Sequence, residues 1–271
     1  GYAVKQEYPL NADSVNHALE RFNHIYEKYL EGSEIYLAIV PDKGYYLAEA
    51  AGQLSMDYES LFAMMEEGMP WAENIDLTGA VSAEDYYRTD THWRHEALME
   101  AAQALGNAMG VMNTLPGTEL VPVAAERPFY GVYYGQAALP LPSETMYILE
   151  NELLKDCTVT GYDNMGKEIP LQVYNEADLQ SQDLYDIYLS GVESILKIEN
   201  PNAKTDRELI IFRDSFGSAI APLLLNDYAK VTLVDIRYIN LNTLERYLEF
   251  NGQDVLFLYS SLVLNNSETI Q

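Results

Sequence analysis

Apolar residues in the first third of the chain alternate between a helical spacing and short continuous runs. A helix that begins near Asp13 or Ser14 and ends before Gly32 is predicted by the spacing of Val15, Leu19, Phe22, Ile25, Tyr26 and Tyr29. The apolar run 35–40 predicts a buried strand that ends at Pro41, and the run 45–47 predicts a short return strand. A helix over 58–66 and a strand over 74–77 are expected next.

The last quarter has the clearest pattern. Apolar runs predict strands over 209–212, 230–235 and 255–259, and the segments between them predict helices over 217–227 and 241–250. A βαβαβ order of this kind predicts a parallel sheet with right-handed crossovers. The chain is therefore expected to have an α/β fold.

The middle of the chain is less regular. A helix is predicted from Arg94 to about Met109, after which Pro and Gly recur from Pro116 and Gly117 to Pro170. This pattern indicates a β-rich or irregular insertion at about 111–205, with one helix near 183–189. We expect residues 1–271 to form a single domain, with 111–205 as its insertion or subdomain.

Composition limits the partners of the protein. Hydrophobic residues make up 48% of the 271 residues, yet no apolar run approaches the roughly 18 residues of a membrane span. The chain begins at Gly1 without a basic and apolar leader, so we expect any export segment to have been removed. A net charge of −26 disfavours nucleic acids and anionic lipid surfaces and suits neutral glycans or small molecules.

Nucleophile chemistry is indicated at two distant positions. Ser215 follows an apolar strand and precedes a helix, and the carboxyl ends of parallel strands are where α/β proteins bind ligands. Asp90 and His92 lie two residues apart, and in an extended segment their side chains would share one side. Asp90 could then hold His92 so that the imidazole accepts a proton from Ser215. The alternatives are that Ser215 only caps the helix and that Asp90 or Thr91 caps the next one.

Other chemistries are less well supported. A metal site of Asp90, His92, His95 and Glu96 would need both histidines on one helical face, while Asp90 precedes the predicted helix. Cys157 is the only cysteine, and Asp156 beside it would raise its pKa. We expect no metal and no cofactor. Among the 22 tyrosines, Tyr130, Tyr133 and Tyr134 in a Gly-containing loop are the best candidates for stacking on a sugar.

These motifs together resemble the DHHW family, a branch of the SGNH hydrolase superfamily related to alginate O-acetyltransferase-type proteins. The resemblance rests mainly on segments 86–93 and 213–217, with support from 39–43, 130–135, 183–185 and 234–238. It implies a three-layer α/β/α fold in which the Asp–His pair precedes the serine, a permuted order. It also implies Ser215 as nucleophile, His92 as general base and Asp90 as the acid that orients it.

The resemblance further implies an O-acetyl esterase or O-acetyltransferase that carries out acyl-ester chemistry on a cell-envelope or extracellular glycan. Such a protein is expected in the cell envelope or outside the cell, and a membrane-bound acyl donor is a candidate partner. The residue before Asp214 is Arg213, where the usual family block has glycine, and this places a guanidinium near the nucleophile. The candidate oxyanion or substrate-binding residues are Gly217, Arg213, Trp93, Tyr134 and Arg237. Two alternatives are a catalytically weak glycan-binding or assembly protein and a purely structural domain.

Overall fold

The computed structural model describes residues 1–111, 119–138, 140–163, 165–180 and 183–271. Pro116 and Gly117, on which the predicted insertion partly rests, lie outside the described residues. Helices cover both faces of an eight-stranded sheet, so the protein has the three-layer α/β/α fold that the sequence predicts.

Five parallel strands form one part of the sheet. In spatial order they are β2 (Glu73–Ile75), β1 (Ile35–Val40), β10 (Asp254–Ser260), β8 (Glu208–Arg213) and β9 (Lys230–Val234). Because β8 pairs in parallel with both β9 and β10, the predicted parallel arrangement of these three strands is confirmed. Strand β8 therefore lies inside the sheet, with its carboxyl end surrounded by neighbours.

Residues of the inner strands alternate between two apolar layers. Leu209 and Ile211 of β8 face the layer that holds α4 (Met99–Ala108) and α7 (Phe216–Leu224). Ile210 and Phe212 face the layer that holds α1 (Ala12–Ile25) and α3 (Tyr58–Gly68). A strand buried on both faces must be apolar at every position, which explains the continuous run in the sequence.

The central segment contributes strands to the same sheet. Beyond β9 the order continues with β7 (Ile195–Glu199), β5 (Thr158–Tyr162) and β6 (Glu168–Leu171), each antiparallel to its neighbour. A separate antiparallel pair is formed by β3 (Val121–Ala124) and β4 (Tyr147–Glu150). The short helices α5 (Val132–Ala137) and α6 (Glu152–Asp156) were not predicted, whereas a 3-10 turn at Leu184–Ile187 lies within the predicted helix near 183–189. That the chain forms one domain stays a prediction.

Several local predictions were wrong. The predicted strand at 45–47 is a helix, α2 (Lys43–Leu47), because the Asp42 carboxylate caps it by accepting the Gly44 amide at 2.6 Å. The cap of α1 is Asn11, and the chain continues past Ile25 through a π-helical turn, Tyr26–Leu30. The predicted helix at 94–109 begins only at Met99, after a 3-10 turn over His95–Ala97. The helix predicted over 241–250 is a 3-10 turn, Leu241–Arg246.

After β10 the chain forms α8 (Ser261–Leu264) and ends against α1 through a turn at Ser267–Thr269. None of the helices in the described ranges combines the length and hydrophobicity that crossing a bilayer requires.

Candidate active site

Ser215 lies in a tight turn between β8 and α7. The Asp214 carboxylate, which is fully buried, accepts the Phe216 amide at 3.0 Å and the Ser260 amide at 2.8 Å. It thereby ties the turn to the end of the neighbouring strand β10. The Ser215 hydroxyl makes no hydrogen bond to the amides of α7, so it does not cap that helix.

Asp90 and His92 are brought together by a turn. The bridge between Tyr86 and Trp93 closes this turn, and the Tyr87 amide donates to the His92 carbonyl at 3.1 Å. Within the turn, Asp90 Oδ1 accepts both the backbone amide of His92 at 3.0 Å and its Nδ1–H at 2.7 Å. The two side chains meet because the backbone bends, and the expected extended segment was wrong.

The two segments meet at the carboxyl end of β8. His92 Nε2 lies 2.7 Å from Ser215 Oγ, so a continuous chain of hydrogen bonds joins Asp90, His92 and Ser215. Since Asp90 accepts from Nδ1–H, Nε2 carries no proton and accepts from the serine hydroxyl. Asp90 and His92 are both buried. This is the arrangement that activates a serine for nucleophilic attack.

Asp90 is held in its charged form. Burial alone would raise the pKa of this carboxyl group, but the interaction with the adjacent His92 side chain and the hydrogen bonds from the backbone amides of His92 and Val132 outweigh it. The pKa of Asp90 consequently lies below its ordinary value. A charged Asp90 fixes the His92 tautomer and stabilises the imidazolium that forms when Ser215 loses its proton.

The loop before α5 supports Asp90. The Val132 amide donates to Asp90 Oδ2 at 2.8 Å, and the Gly131 amide donates to Thr89 Oγ1 at 3.0 Å. A side chain at Gly131 would place its Cβ 2.3 Å from the Thr89 carbonyl oxygen and 2.4 Å from the Asp90 Cβ. Only glycine allows the loop to approach this closely. The sequence points to this loop for sugar stacking, but its backbone holds the Asp90 carboxylate.

Glu144 supports the same segment from the other side. One carboxylate oxygen accepts the Arg88 amide at 2.8 Å, and the other accepts the Thr89 amide at 2.9 Å and its hydroxyl at 2.8 Å. Nothing in the local sequence around Glu144 indicates this role, because its partners lie 55 and 56 residues away.

Tyr185 fixes the plane of the imidazole. Its ring stacks on His92 with the centroids 3.8 Å apart and an interplanar angle of 10°. Tyr185 belongs to the turn Leu184–Ile187, so the central segment contributes directly to the site. The 183–185 segment, a minor part of the family resemblance, was the only sequence signal for it.

A buried charge cluster lies beneath the nucleophile. The Arg213 side chain is 1% exposed, donates to the Asp214 and Glu193 carbonyls, and lies 3.6 Å from the Asp235 carboxylate. Arg237 binds the same carboxylate in a bidentate manner at 2.8 and 2.7 Å. Arg213 thus stands where the usual family motif has glycine, and its buried guanidinium contacts the groups around the turn.

Three predicted binding residues need correction. The Gly217 amide donates to the Asp214 carbonyl at 3.1 Å, so it is not a free oxyanion donor. The Gly217 Cα instead faces Arg213, whose Cβ would lie 2.7 Å from an added Cβ. Trp93 is fully buried against Phe216 and cannot contact a substrate. Tyr134 is half-buried beside Tyr130 and does not line the pocket at the serine.

One oxyanion donor is available. Within the part of the chain that the structure describes, no group accepts a hydrogen bond from the Ser215 amide. This N–H belongs to the nucleophile itself and precedes the first turn of α7, where the helix dipole adds positive potential.

His95 and Cys157 are not suited to catalysis. His95 is fully buried, and burial lowers its pKa to about 3, so it stays neutral and cannot exchange protons with a substrate. Burial, with a smaller contribution from Asp156, raises the pKa of Cys157 to about 11. Among the described residues no group of three or more His, Cys, Asp or Glu side chains could hold a metal ion.

A pocket of about 190 Å³ opens beside the serine. Its lining residues come from the triad, the nucleophile turn, the central segment and the turn after β9: His92, Asp183, Tyr185, Asp186, Gly191, Val192, Arg213, Ser215, Ser218, Asp235, Arg237 and Tyr238. A larger cavity of about 560 Å³ lies between the N-terminal segment and residues 44–58, and no triad residue lines it. We therefore place substrate chemistry in the smaller pocket.

Solved structures with this fold were found, whereas no protein-family model and no curated protein sequence matches the chain. A DHHW family protein from Eubacterium siraeum is 24% identical, with a TM-score of 0.76 over 95% of this chain and 88% of that one. PatB1 from Bacillus cereus, solved with a sulfonyl adduct, is 17% identical, with a TM-score of 0.71 over 97% and 91%. The O-acetyltransferase domain of Pseudomonas putida AlgJ is 14% identical, with a TM-score of 0.54 over 94% and 84%.

The TM-scores show a shared fold, while the low sequence identities leave the roles of individual residues open. These structures include the two groups of proteins that the sequence motifs resemble. The resemblance of this chain to DHHW family proteins and to alginate O-acetyltransferase-type proteins is confirmed at the level of the fold.

Proposed function

We propose that the protein is a serine-dependent O-acetyl esterase or O-acetyltransferase that acts on a cell-envelope or extracellular glycan. The observation that carries the proposal is the chain of 2.7 Å hydrogen bonds from Asp90 through His92 to Ser215. An O-acetyltransferase domain among the structures with this fold supports the acyl class. The envelope location and a membrane-bound acyl donor are parts of this proposal.

The mechanism follows from the geometry. Ser215 Oγ attacks the acetyl carbonyl carbon while its proton moves to His92 Nε2, and Asp90 stabilises the imidazolium. The Ser215 amide donates to the oxyanion of the tetrahedral intermediate. Collapse breaks the bond to the donor alcohol, which leaves with the proton from His92, and an acetyl-serine remains. Water or a sugar hydroxyl then attacks this ester, with His92 again taking the proton. The bond to Ser215 Oγ breaks, the serine takes the proton back from His92, and acetate or the acetylated sugar is released.

A fluorophosphonate probe tests for an activated serine. We expect labelling of the wild-type protein and none of Ser215→Ala or His92→Ala, each checked for folding by circular dichroism. Ser60→Ala, on α3 and outside the pocket, is the control and should still be labelled. The sulfonyl adduct of PatB1 suggests a sulfonyl fluoride as a second probe. Absence of labelling in the folded wild type would refute an activated nucleophile.

The second candidate is a catalytically weak glycan-binding or assembly protein that retains the fold. It is favoured by one observation: the Gly217 amide is engaged by Asp214, which leaves the Ser215 amide as the available oxyanion donor. Losing one such donor typically lowers kcat by about 10²–10³-fold. Glycan binding without release of acetate from any acetylated glycan would support this candidate.

A further inference from the structure

Tyr238 is an exposed aromatic residue at the edge of the catalytic pocket. It lines the same pocket as His92 and Ser215, and 51% of its surface is exposed. Neighbouring aromatic residues of the site, Tyr185 and Trp93, are buried and stabilise the core. Tyr238 is thus the aromatic side chain of this pocket that can contact a ligand from solvent.

The backbone and the side chain of Tyr238 are both held in place. Its amide donates to the Asp235 carbonyl at 3.1 Å in the turn after β9. The guanidinium of Arg237 lies over its ring at 5.3 Å from the centroid, and Arg237 is itself fixed by two hydrogen bonds to the buried Asp235. A ring that is ordered before binding loses little conformational entropy when a ligand stacks on it.

The charges around the pocket favour a neutral ligand. Asp183, Asp186 and Asp235 contribute three carboxylates to the lining, against the two guanidinium groups of Arg213 and Arg237. Both arginines contact the Asp235 carboxylate, which compensates one of their two charges, and Asp183 and Asp186 make the charge of the lining negative. With a net charge of −26 on the whole chain, a polyanionic glycan would meet repulsion at this entrance.

We propose that Tyr238 is the platform on which a neutral pyranose ring of the glycan stacks, beside the serine that exchanges its acetyl group. Sugar rings present C–H groups that pack on an aromatic face such as that of Tyr238. This subsite rests on the proposed function for its chemistry, but it can be tested separately as a binding site.

Kinetics on two esters test the subsite. We expect Tyr238→Ala to raise the KM for O-acetylated xylotriose, a neutral acetylated oligosaccharide, by about tenfold with a smaller change in kcat. The loss on p-nitrophenyl acetate, which carries no sugar, should be much smaller. Tyr238→Phe keeps the ring and should restore the KM on the oligosaccharide. Equal losses on the two esters, or no change on the oligosaccharide, would overturn the proposal.

Two further measurements make the outcome specific. Tyr8→Ala changes another exposed tyrosine, which does not line the pocket. A loss equal to that of Tyr238→Ala would overturn the assignment. If no ester is turned over, the proposed function fails, and calorimetry with unacetylated xylotriose and the Ser215→Ala protein still decides the subsite. Binding that weakens about tenfold in Ser215→Ala/Tyr238→Ala supports it; the same affinity in both proteins, or no binding, refutes it.

Discussion

Replacing Gly131 by alanine should impair the site although no triad residue is itself replaced. The new Cβ would lie 2.3 Å from the Thr89 carbonyl oxygen, whereas ordinary contact begins near 3.4 Å. The loop must therefore retreat by roughly 1 Å, and the 2.8 Å hydrogen bond from Val132 to Asp90 would stretch beyond hydrogen-bonding distance. Overpacking of this kind costs about 1–3 kcal/mol, and a lost hydrogen bond to a charged group adds about 1.5–3 kcal/mol.

The displacement should also slow the reaction of the serine. A 1 Å displacement of a positioning group can cost on the order of 10²-fold in rate. We expect Gly131→Ala to be labelled by the fluorophosphonate roughly 10–100-fold more slowly than the wild type. Unfolding in urea, followed by circular dichroism, should give a free energy of unfolding lower by about 2.5–6 kcal/mol.

Gly135→Ala is the matched control in the same loop and helix. Its Cβ would meet nothing within 4 Å, and alanine favours α5, so labelling and stability should be retained. If Gly131→Ala were labelled within twofold of the wild-type rate, the loop would not be positioning Asp90, and the role assigned to the Val132 amide would be wrong.

Three other substitutions test the surroundings of the triad. Glu144→Gln should slow labelling about tenfold, because the Arg88 and Thr89 amides lose a charged acceptor. The control Glu152→Gln, exposed on α6, should change neither the labelling rate nor the stability. Equal effects of the two substitutions would refute the role of Glu144. Gly217 lies in helix α7, yet Gly217→Ala should lower the free energy of unfolding in urea by about 1–3 kcal/mol, because the Arg213 side chain must move away from the new Cβ. A gain in stability would contradict the close contact between Gly217 and Arg213. In the folded protein the pKa of His95 is about 3, whereas an unfolded histidine takes a proton near 6.5, so the free energy of unfolding should decrease by up to about 1.4 kcal/mol per pH unit as the pH falls from 6.5 to 3. His95→Leu should show a shallower dependence on pH, and an unchanged slope would exclude His95 as its source.

Local patterns in the sequence were sufficient for the central sheet and for the identities of the triad candidates. The run 209–212 is apolar at every position because both faces of β8 are buried, and such a run predicts a strand wherever it occurs. Ser215 follows that run directly, and Asp90 and His92 are two residues apart, so each could be singled out from short segments. Where a local pattern was ambiguous, as at 45–47, the cap supplied by Asp42 decided for helix.

Tertiary structure decided how the site is assembled. Ser215 and His92 are 123 residues apart, and only the folding of the sheet places them 2.7 Å from each other. Partners far along the chain also decided that Trp93 is buried and that Tyr185 stacks on His92, and the turn at the nucleophile decided that the Gly217 amide is occupied. Hydrophobic periodicity records which residues leave water, but it carries no information about which distant residue each one meets. Strands β8, β9 and β10 and helix α7 were therefore predictable from the sequence, whereas the contacts that shape the pocket depend on the packed fold.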